Sequence, residues 1–192
     1  MARPRSAEKR NAIVAAATAM VASAGLGAPT SKIARAAGVA DGTLFTYFSD
    51  KDALLNELFL DLKHELLRAT STPQASGPPI ERANRFWDRY VNWGVSFPTK
   101  RRALRQLAVS EVVTQANKLA GRAMFAEIDE VLEEALADGG PGGLPIDFAG
   151  AIMITLAETT IDSIEREPRR RRALTRAGFS AFWNAITGPT HR

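Results

Sequence analysis

Residues 29–52, with the sequence PTSKIARAAGVADGTLFTYFSDKD, constrain the fold more than any other stretch of the chain. Ile33, Ala34 and Ala37 give a short helix one small, apolar face, and Gly38 supplies the backbone freedom for a sharp stop. Asp41 then stands where the N-cap of a second helix belongs. Two short helices joined by a tight turn predict a helix-turn-helix, which most commonly reads DNA in the major groove.

The polar side chains of this stretch are candidates for DNA contact. Thr30 or Ser31 can cap the first helix of the motif, and Gly42 leaves a small surface through which the backbone can approach base edges. The hydroxyl of Tyr47 can reach a phosphate, although a packed aromatic ring explains the same residue. The candidate DNA-binding residues are Thr30, Ser31, Lys32, Asp41, Gly42, Thr43, Thr46, Tyr47 and Lys51.

The end of the stretch indicates the start of another helix. The run Ser49-Asp50-Lys51-Asp52 resembles a capping box, which places Lys51 in the first helical turn. A cation there opposes the helix dipole, and a bound phosphate would relieve the conflict. The alternative for Lys51 is an ordinary solvated lysine.

Positive charge is concentrated in the same part of the chain. Through Lys51 there are seven basic and three acidic residues, a surplus of four that equals the +4 of the whole chain. A phosphate-binding surface requires such a surplus, although a solvated basic terminus would also produce it. The short arm with Arg3 and Arg5 either reaches a neighbouring groove or packs against nothing.

One spacing of small, apolar and basic residues covers about the first third of the chain. It reads Thr30-x-x-Ile33-Ala34-x-x-Ala37-Gly38-Val39-Ala40-x-Gly42-Thr43-Leu44-Phe45-x-Tyr47-Phe48-x-x-Lys51. This pattern resembles the N-terminal domain of the TetR (tetracycline repressor) family.

The resemblance implies a role for each part of the motif. Residues 33–37 would be the supporting helix and residues 41–48 the recognition helix. Thr30 would be a phosphate-contacting cap and Lys51 the phosphate-binding lysine that opens the fourth helix. Phe45 departs from the family, which usually has tyrosine there, and Thr46 replaces a position often held by a larger residue.

Beyond residue 52 the sequence predicts a helical body. We expect helices over 80–97, 119–136 and 146–166, a short basic helix from Pro98 with a solvated face, and a last helix from Pro168. The arginines of residues 169–172 would oppose the dipole of that last helix, so nearby acids or a partner chain should compensate. The glycine-rich run of residues 138–143 should be a flexible break.

Aromatic residues indicate where the body could bind a small molecule. The helix over 80–97 is apolar on more than one face, as a central bundle helix is. Core packing explains any single residue, but we also expect an aromatic pocket beside this helix. The candidate ligand-binding residues are Trp87, Tyr90, Trp93, Phe125, Ile128 and Met153.

The chain is therefore expected to be all-α, with about nine helices in two domains. Residues 1–52 would form a three-helix DNA-binding domain with the motif at about 29–48, and residues 53–192 a larger ligand-binding and dimerisation domain. By resemblance, the last two helices would pair with their copies in a homodimer. The partners would be a palindromic double-stranded DNA operator and a small apolar or aromatic inducer of a repressor.

Other function classes find little support. The sequence has no Cys, only His64 and His191 as histidines, and no nucleophile-elbow serine, so we expect neither an enzyme nor a metal or cofactor. The charged start and a longest apolar run of residues 148–157 predict a cytoplasmic protein with no membrane partner. The alternatives that stay open are a helical-bundle enzyme and a helix-turn-helix module that binds protein instead of DNA.

Overall fold

The computed structural model describes residues 6–71, 76–139 and 143–188, and these residues form helices without any strand. There are ten α-helices and a 3-10 turn at Pro168–Arg170. The helices are α1 (Ala7–Ala24), α2 (Thr30–Ala36), α3 (Asp41–Tyr47), α4 (Lys51–Thr70), α5 (Pro79–Ser96), α6 (Pro98–Ala108), α7 (Gln115–Ala123), α8 (Ala126–Gly139), α9 (Ile146–Arg166) and α10 (Arg171–Thr187). The predicted all-α class is confirmed.

Two expectations fall outside the described residues. These are the basic arm with Arg3 and Arg5 and the centre of the glycine-rich break at residues 140–142. Within the described ranges, no helix is both long and apolar enough to cross a membrane.

The single helix predicted over 119–136 is wrong, and its division raises the count from nine to ten. The Oγ1 of Thr114 accepts a hydrogen bond from the backbone N–H of Asn117 (3.2 Å), so α7 begins before Leu119. The helix then ends at Ala123, and the carbonyl of Phe125 accepts the first bonds of α8 from Ile128 and Asp129. A side-chain cap and a local break in the backbone ladder are invisible to apolar periodicity.

The chain divides into two compact units. Unit 1 contains the residues up to Glu65 together with Phe97–Met124, and unit 2 contains Leu66–Ser96 together with the residues from Phe125 onward. Helix α4 contributes to both units. This division by contacts does not test a functional boundary at residue 52, which stays a prediction.

Unit 1 has a small apolar core around the predicted motif. Ile13 and Val21 of α1, Ile33 of α2 and Leu44 of α3 are buried, as is Phe48 just after α3. The small residues Ala17 and Ala34 are also buried, which lets α1 and α2 pack closely. The apolar pattern read from residues 29–52 therefore corresponds to the actual core.

Asn56 joins α4 to the segment that follows α6 within unit 1. Its Nδ2 donates to the carbonyl of Val112 (2.9 Å), and its Oδ1 accepts from the N–H of Thr114 (2.9 Å) and the amide of Asn117 (2.8 Å). One half-buried amide thus satisfies three groups of another segment, which fixes the position of the first turns of α4 in unit 1.

Unit 2 is built around aromatic rings from α5 and α10. The buried ring of Trp87 stacks on Phe182 (centroids 5.9 Å apart, planes 6° apart) and meets Phe179 edge-on. The Nε1 of Trp87 donates to the carbonyl of Thr175 (3.1 Å). Gly178 permits this approach, because a Cβ there would lie 2.9 Å from Cζ2 of Trp87 and would also overlap Oγ1 of Thr160.

We predict that Gly178→Ala destabilises the protein by about 1–3 kcal/mol, as overpacking of a core does. Neither neighbour can move freely, because Oγ1 of Thr160 donates to the carbonyl of Leu156 (2.8 Å) and Trp87 is held in its stack. Chemical denaturation of both proteins measures the difference. The control is Gly27→Ala, where a Cβ would meet nothing within 4 Å, and equal stability losses in the two variants would contradict the packing argument.

Candidate nucleic-acid interface

Helix α3 presents one polar face and buries the other. Leu44 is buried, whereas Asp41, Gly42 and Thr46 are exposed and Thr43 is half-buried. Phe45 is also exposed (48 %), although it is a large apolar residue. Apart from Phe45, these exposed residues belong to the candidate interface, and the structure leaves them available for a partner.

The predicted caps of the two motif helices are wrong, because Thr30, Ser31 and Asp41 all lie inside the helices. Helix α2 has Pro29 at its N-cap and α3 has Ala40, so Thr30 and Asp41 are the first helical residues. Neither helix has a side-chain cap hydrogen bond. Both caps were assigned from residue preference, but the turn before each helix places an apolar residue at that position.

The capping residue of α4 is Asp50, not Ser49. The Oδ1 of Asp50 accepts from the N–H of Ala53 (2.7 Å), and the hydroxyl of Ser49 donates to its Oδ2 (3.0 Å). These hydrogen bonds, that from Ala53 above all, hold the pKa of Asp50 below its usual value. Lys51 is therefore the first helical residue, as expected, and it stands beside a carboxylate that already complements the dipole.

Tyr47 connects the end of α3 to the start of α1. Its hydroxyl oxygen accepts a hydrogen bond from the backbone N–H of Ser6 (3.0 Å), and the residue is half-buried. The structure is compatible with both interpretations of Tyr47. Its ring is packed, and its hydroxyl proton remains available to an acceptor such as a phosphate oxygen. The contact also fixes the position of Ser6, immediately before α1, relative to α3.

Arg10 is paired with acidic residues and is therefore not one of the unpaired cations near the motif. Its guanidinium donates to Oε2 of Glu57 (2.8 Å) and Oδ2 of Asp61 (3.1 Å) on α4 and lies over the ring of Phe48. The hydrogen bond to Glu57, with the nearby charge of Asp61, raises the pKa of Arg10. Its acidic partners lie beyond residue 51, so counting charges up to Lys51 assigned this arginine to the wrong role.

Four other basic residues of the N-terminal helices have no acidic partner among the described residues. Lys9, Lys32 and Arg35 are exposed, and Lys51 is half-buried. Unpaired cations on a surface attract polyanions, because no carboxylate cancels their field. The unpaired cations of these helices therefore suit the phosphates of DNA.

The short basic helix α6 differs from the expectation of a solvated face. Arg101 is buried at 2 % exposure, while Arg102 and Arg105 are exposed. Lys100 forms an ion pair with Glu65 (2.5 Å) and lies over the ring of Phe97. The consecutive basic residues of α6 thus lie partly in the interior and partly on the surface of unit 1.

The candidate ligand-binding residues lie within unit 2, and most are in its core. Trp87, Tyr90, Trp93, Ile128 and Met153 are buried, and Phe125 is half-buried. A cavity of about 510 Å³ in unit 2 lies between α5 and α10, and none of the six lines it.

Sequence reasoning missed one member of this core. The hydroxyl of Tyr90 donates to Oε1 of Glu158 (2.9 Å), and Glu158 is buried on α9. The Nε1 of Trp93 is buried and has no partner among the described residues. Glu158 lies three and six residues before Ile161 and Ile164, so helical spacing places it on the same face as these apolar residues. That spacing was the sequence signal for a buried acid.

The outer faces of α9 and α10 carry small and apolar residues. On α10, Ala177 and Ala181 are exposed, whereas Phe179 and Trp183 are buried. On α9, Phe148 (55 %) and Ile154 (39 %) expose large apolar side chains. The two helices thus show small and apolar residues on faces that the rest of unit 2 does not cover.

Comparison with known proteins agrees with the geometry of the motif. The family described as bacterial regulatory proteins, tetR family, matches residues 13–58. This range contains α2 and α3 and extends into α4, with Lys51 included.

Solved structures resemble the whole chain. A proposed tetR family transcription regulator from Shewanella sp. PV-4 is 29 % identical, with a TM-score of 0.83 over 93 % of this chain and 97 % of that one. A proposed transcriptional regulator of the TetR family from Vibrio parahaemolyticus is 26 % identical, with a TM-score of 0.74 over 93 % and 98 %. FadR from Bacillus subtilis, solved in complex with stearoyl-CoA, shares the fold at 19 % identity, with a TM-score of 0.70 over 93 % and 98 %.

Proposed function

We propose that this member of the tetR family of bacterial regulatory proteins is a repressor that binds a roughly palindromic operator as a homodimer. A small apolar or aromatic effector would release it from the DNA. The observation that carries the proposal is the exposed polar face of α3, which lies in the same unit as four basic residues without acidic partners in the described structure.

The proposed DNA contacts divide into base readout and phosphate contact. Gly42, Thr43 and Thr46 would face base edges in the major groove, with the exposed ring of Phe45 available to a thymine methyl group. Lys51 and Tyr47 would contact phosphates beside the C-terminal end of α3. Thr30, Ser31 and Lys32 lie in the first turn of α2 and would contact the backbone, while Asp41 in the first turn of α3 would position that helix.

The proposed dimer uses the last two helices. An operator read by two copies of α3 in successive major grooves requires a two-fold interface. The exposed faces of α9 and α10 supply small residues for close approach and apolar ones for burial, among them Ala177, Ala181 and Ile154. Such a combination suits the packing of four helices around a two-fold axis.

The effector site is proposed within unit 2, beside α5. Its aromatic side chains offer apolar area, and Tyr90, Glu158 and Trp93 place polar groups among them. The fold neighbour FadR was solved with stearoyl-CoA, which supports an effector with a large apolar part. An effector shifts the balance between DNA-bound and free states only by its different affinity for the two.

We predict that Lys51→Ala weakens binding to all DNA sequences and makes the plot of log affinity against log salt about one unit less steep, because one phosphate contact is lost. Fluorescence anisotropy with a random-sequence duplex at several salt concentrations measures the slope. Lys118→Ala on α7 is the control and should leave the slope unchanged. DNA binding that is unchanged in Lys51→Ala would remove Lys51 from the interface, and absent DNA binding would favour a module that binds protein.

We predict that Gly42→Ala does not destabilise the fold, since alanine loses less backbone entropy than glycine in a helix and a Cβ at this position meets nothing within 4 Å. The same methyl group would stand between the backbone and the base edges. Operator affinity should therefore fall about tenfold, or about 1.4 kcal/mol. Denaturation and anisotropy on an operator selected from random duplexes test the two effects, and unchanged affinity would remove Gly42 from the interface.

We predict that Ile154→Glu converts the dimer to a monomer, because two carboxylates would be buried close together at the two-fold interface. The dimer dissociation constant should rise by about a hundredfold or more, as a penalty of several kcal/mol implies. Sedimentation equilibrium measures it, with Val109→Glu as the control at an apolar position of unit 1 that is 83 % exposed. A dimer that survives Ile154→Glu but not Val109→Glu would place the interface elsewhere.

A further inference from the structure

The cavity between α5 and α10 has polar walls on both sides. Asn84, Asp88 and Asn92 follow each other at intervals of four residues, so they line one face of α5. Arg171, Arg172 and Arg176 form the opposite wall on α10. The volume of about 510 Å³ is within the range of small-molecule sites.

The positive charge of these walls is only partly compensated. One guanidinium is held in place, since Nη2 of Arg171 donates to Oδ1 of Asn92 (2.7 Å). Arg172 and Arg176 make no hydrogen bond or ion pair with any residue that the structure describes. The nearby acid Glu167 pairs instead with Arg170 (3.3 Å).

Asp88 offsets only part of the positive charge of the arginines. It forms no ion pair within the described ranges, and partial burial raises its pKa. Three guanidinium groups and one carboxylate therefore leave the cavity with an excess of about two positive charges. The amides of Asn84 and Asn92 add neutral hydrogen-bonding groups to the opposite wall.

We propose that this cavity binds a small molecule that carries a phosphate group. Planar guanidinium groups bind phosphate oxygens through paired N–H bonds, and a phosphate monoester matches the excess charge. The cavity has more room than a phosphate fills, so the remainder of the ligand lies against Val91 and Asn84 on α5. A concave site of this size suits a small molecule and not a DNA duplex.

Two features separate this site from the proposed regulator function. None of the residues proposed for DNA or effector binding lines the cavity. The exposed alanines Ala177 and Ala181 of α10 are likewise absent from its lining. Binding to the protein alone therefore tests the site without any operator or effector.

The experiment is a calorimetric titration of the full chain with inorganic phosphate at constant ionic strength, with sodium chloride as the reference titrant. Saturable binding of one phosphate per chain is expected. The double variant Arg172→Gln with Arg176→Gln should weaken it about tenfold or more, because two charge-assisted contacts are lost. Asp88→Asn removes the only carboxylate in the lining and should tighten it several-fold.

Arg169→Gln is the matched control, because Arg169 is exposed, lies two residues before Arg171 and does not line the cavity. Its affinity for phosphate should equal that of the wild type. No saturable binding, or an equal loss in the Arg169 variant, would overturn the proposal. Sedimentation of the double variant in phosphate-free buffer adds a further test: a changed oligomeric state would assign this surface to a second copy of the chain instead.

Discussion

A seven-residue helix does not hold its shape alone in water, so the surface of α3 depends on what it buries. Leu44 and Phe48 are the two anchors, each almost completely inaccessible to solvent. The guanidinium of Arg10 covers the ring of Phe48 and is itself held by Glu57 and Asp61. The apolar core of unit 1 thereby sets the position of a helix whose other face is almost entirely exposed.

The same dependence explains which features of this motif could be predicted from sequence. Burial follows from the spacing of apolar residues, so the interior positions of Ile33 and Leu44 were predictable. The caps were not, because Pro29, Ala40 and Asp50 take those positions through the geometry of the preceding turns. The geometry of a turn decides which of two adjacent positions becomes the N-cap, and the preference of a residue type for caps is too weak to do so.

Other features depended on partners distant in sequence. The break between α7 and α8 and the exposure of Ala177 follow from packing that apolar periodicity does not specify. Asn56 forms hydrogen bonds with residues in the segment 112–117, and Tyr90 forms one with Glu158. These partners are too far apart in sequence for a short motif to reveal them. The helical class and the motif were therefore predictable, whereas the polar contacts that position its parts were not.

Charge illustrates the difference between counting residues and locating their partners. The basic residues of the chain have three different environments: Arg10 is paired, Arg101 is buried, and Lys32 and Arg172 are exposed without acidic partners in the described structure.

An exposed cation costs the fold little when water solvates it, but it binds an anion more strongly than a paired one, because no carboxylate must be displaced. Net charge therefore indicates that the protein can bind a polyanion, whereas the unpaired residues indicate where. Among the described residues, the unpaired cations include Lys32 and Lys51 in unit 1 and Arg172 and Arg176 beside the cavity in unit 2, and the overall surplus of four describes neither group.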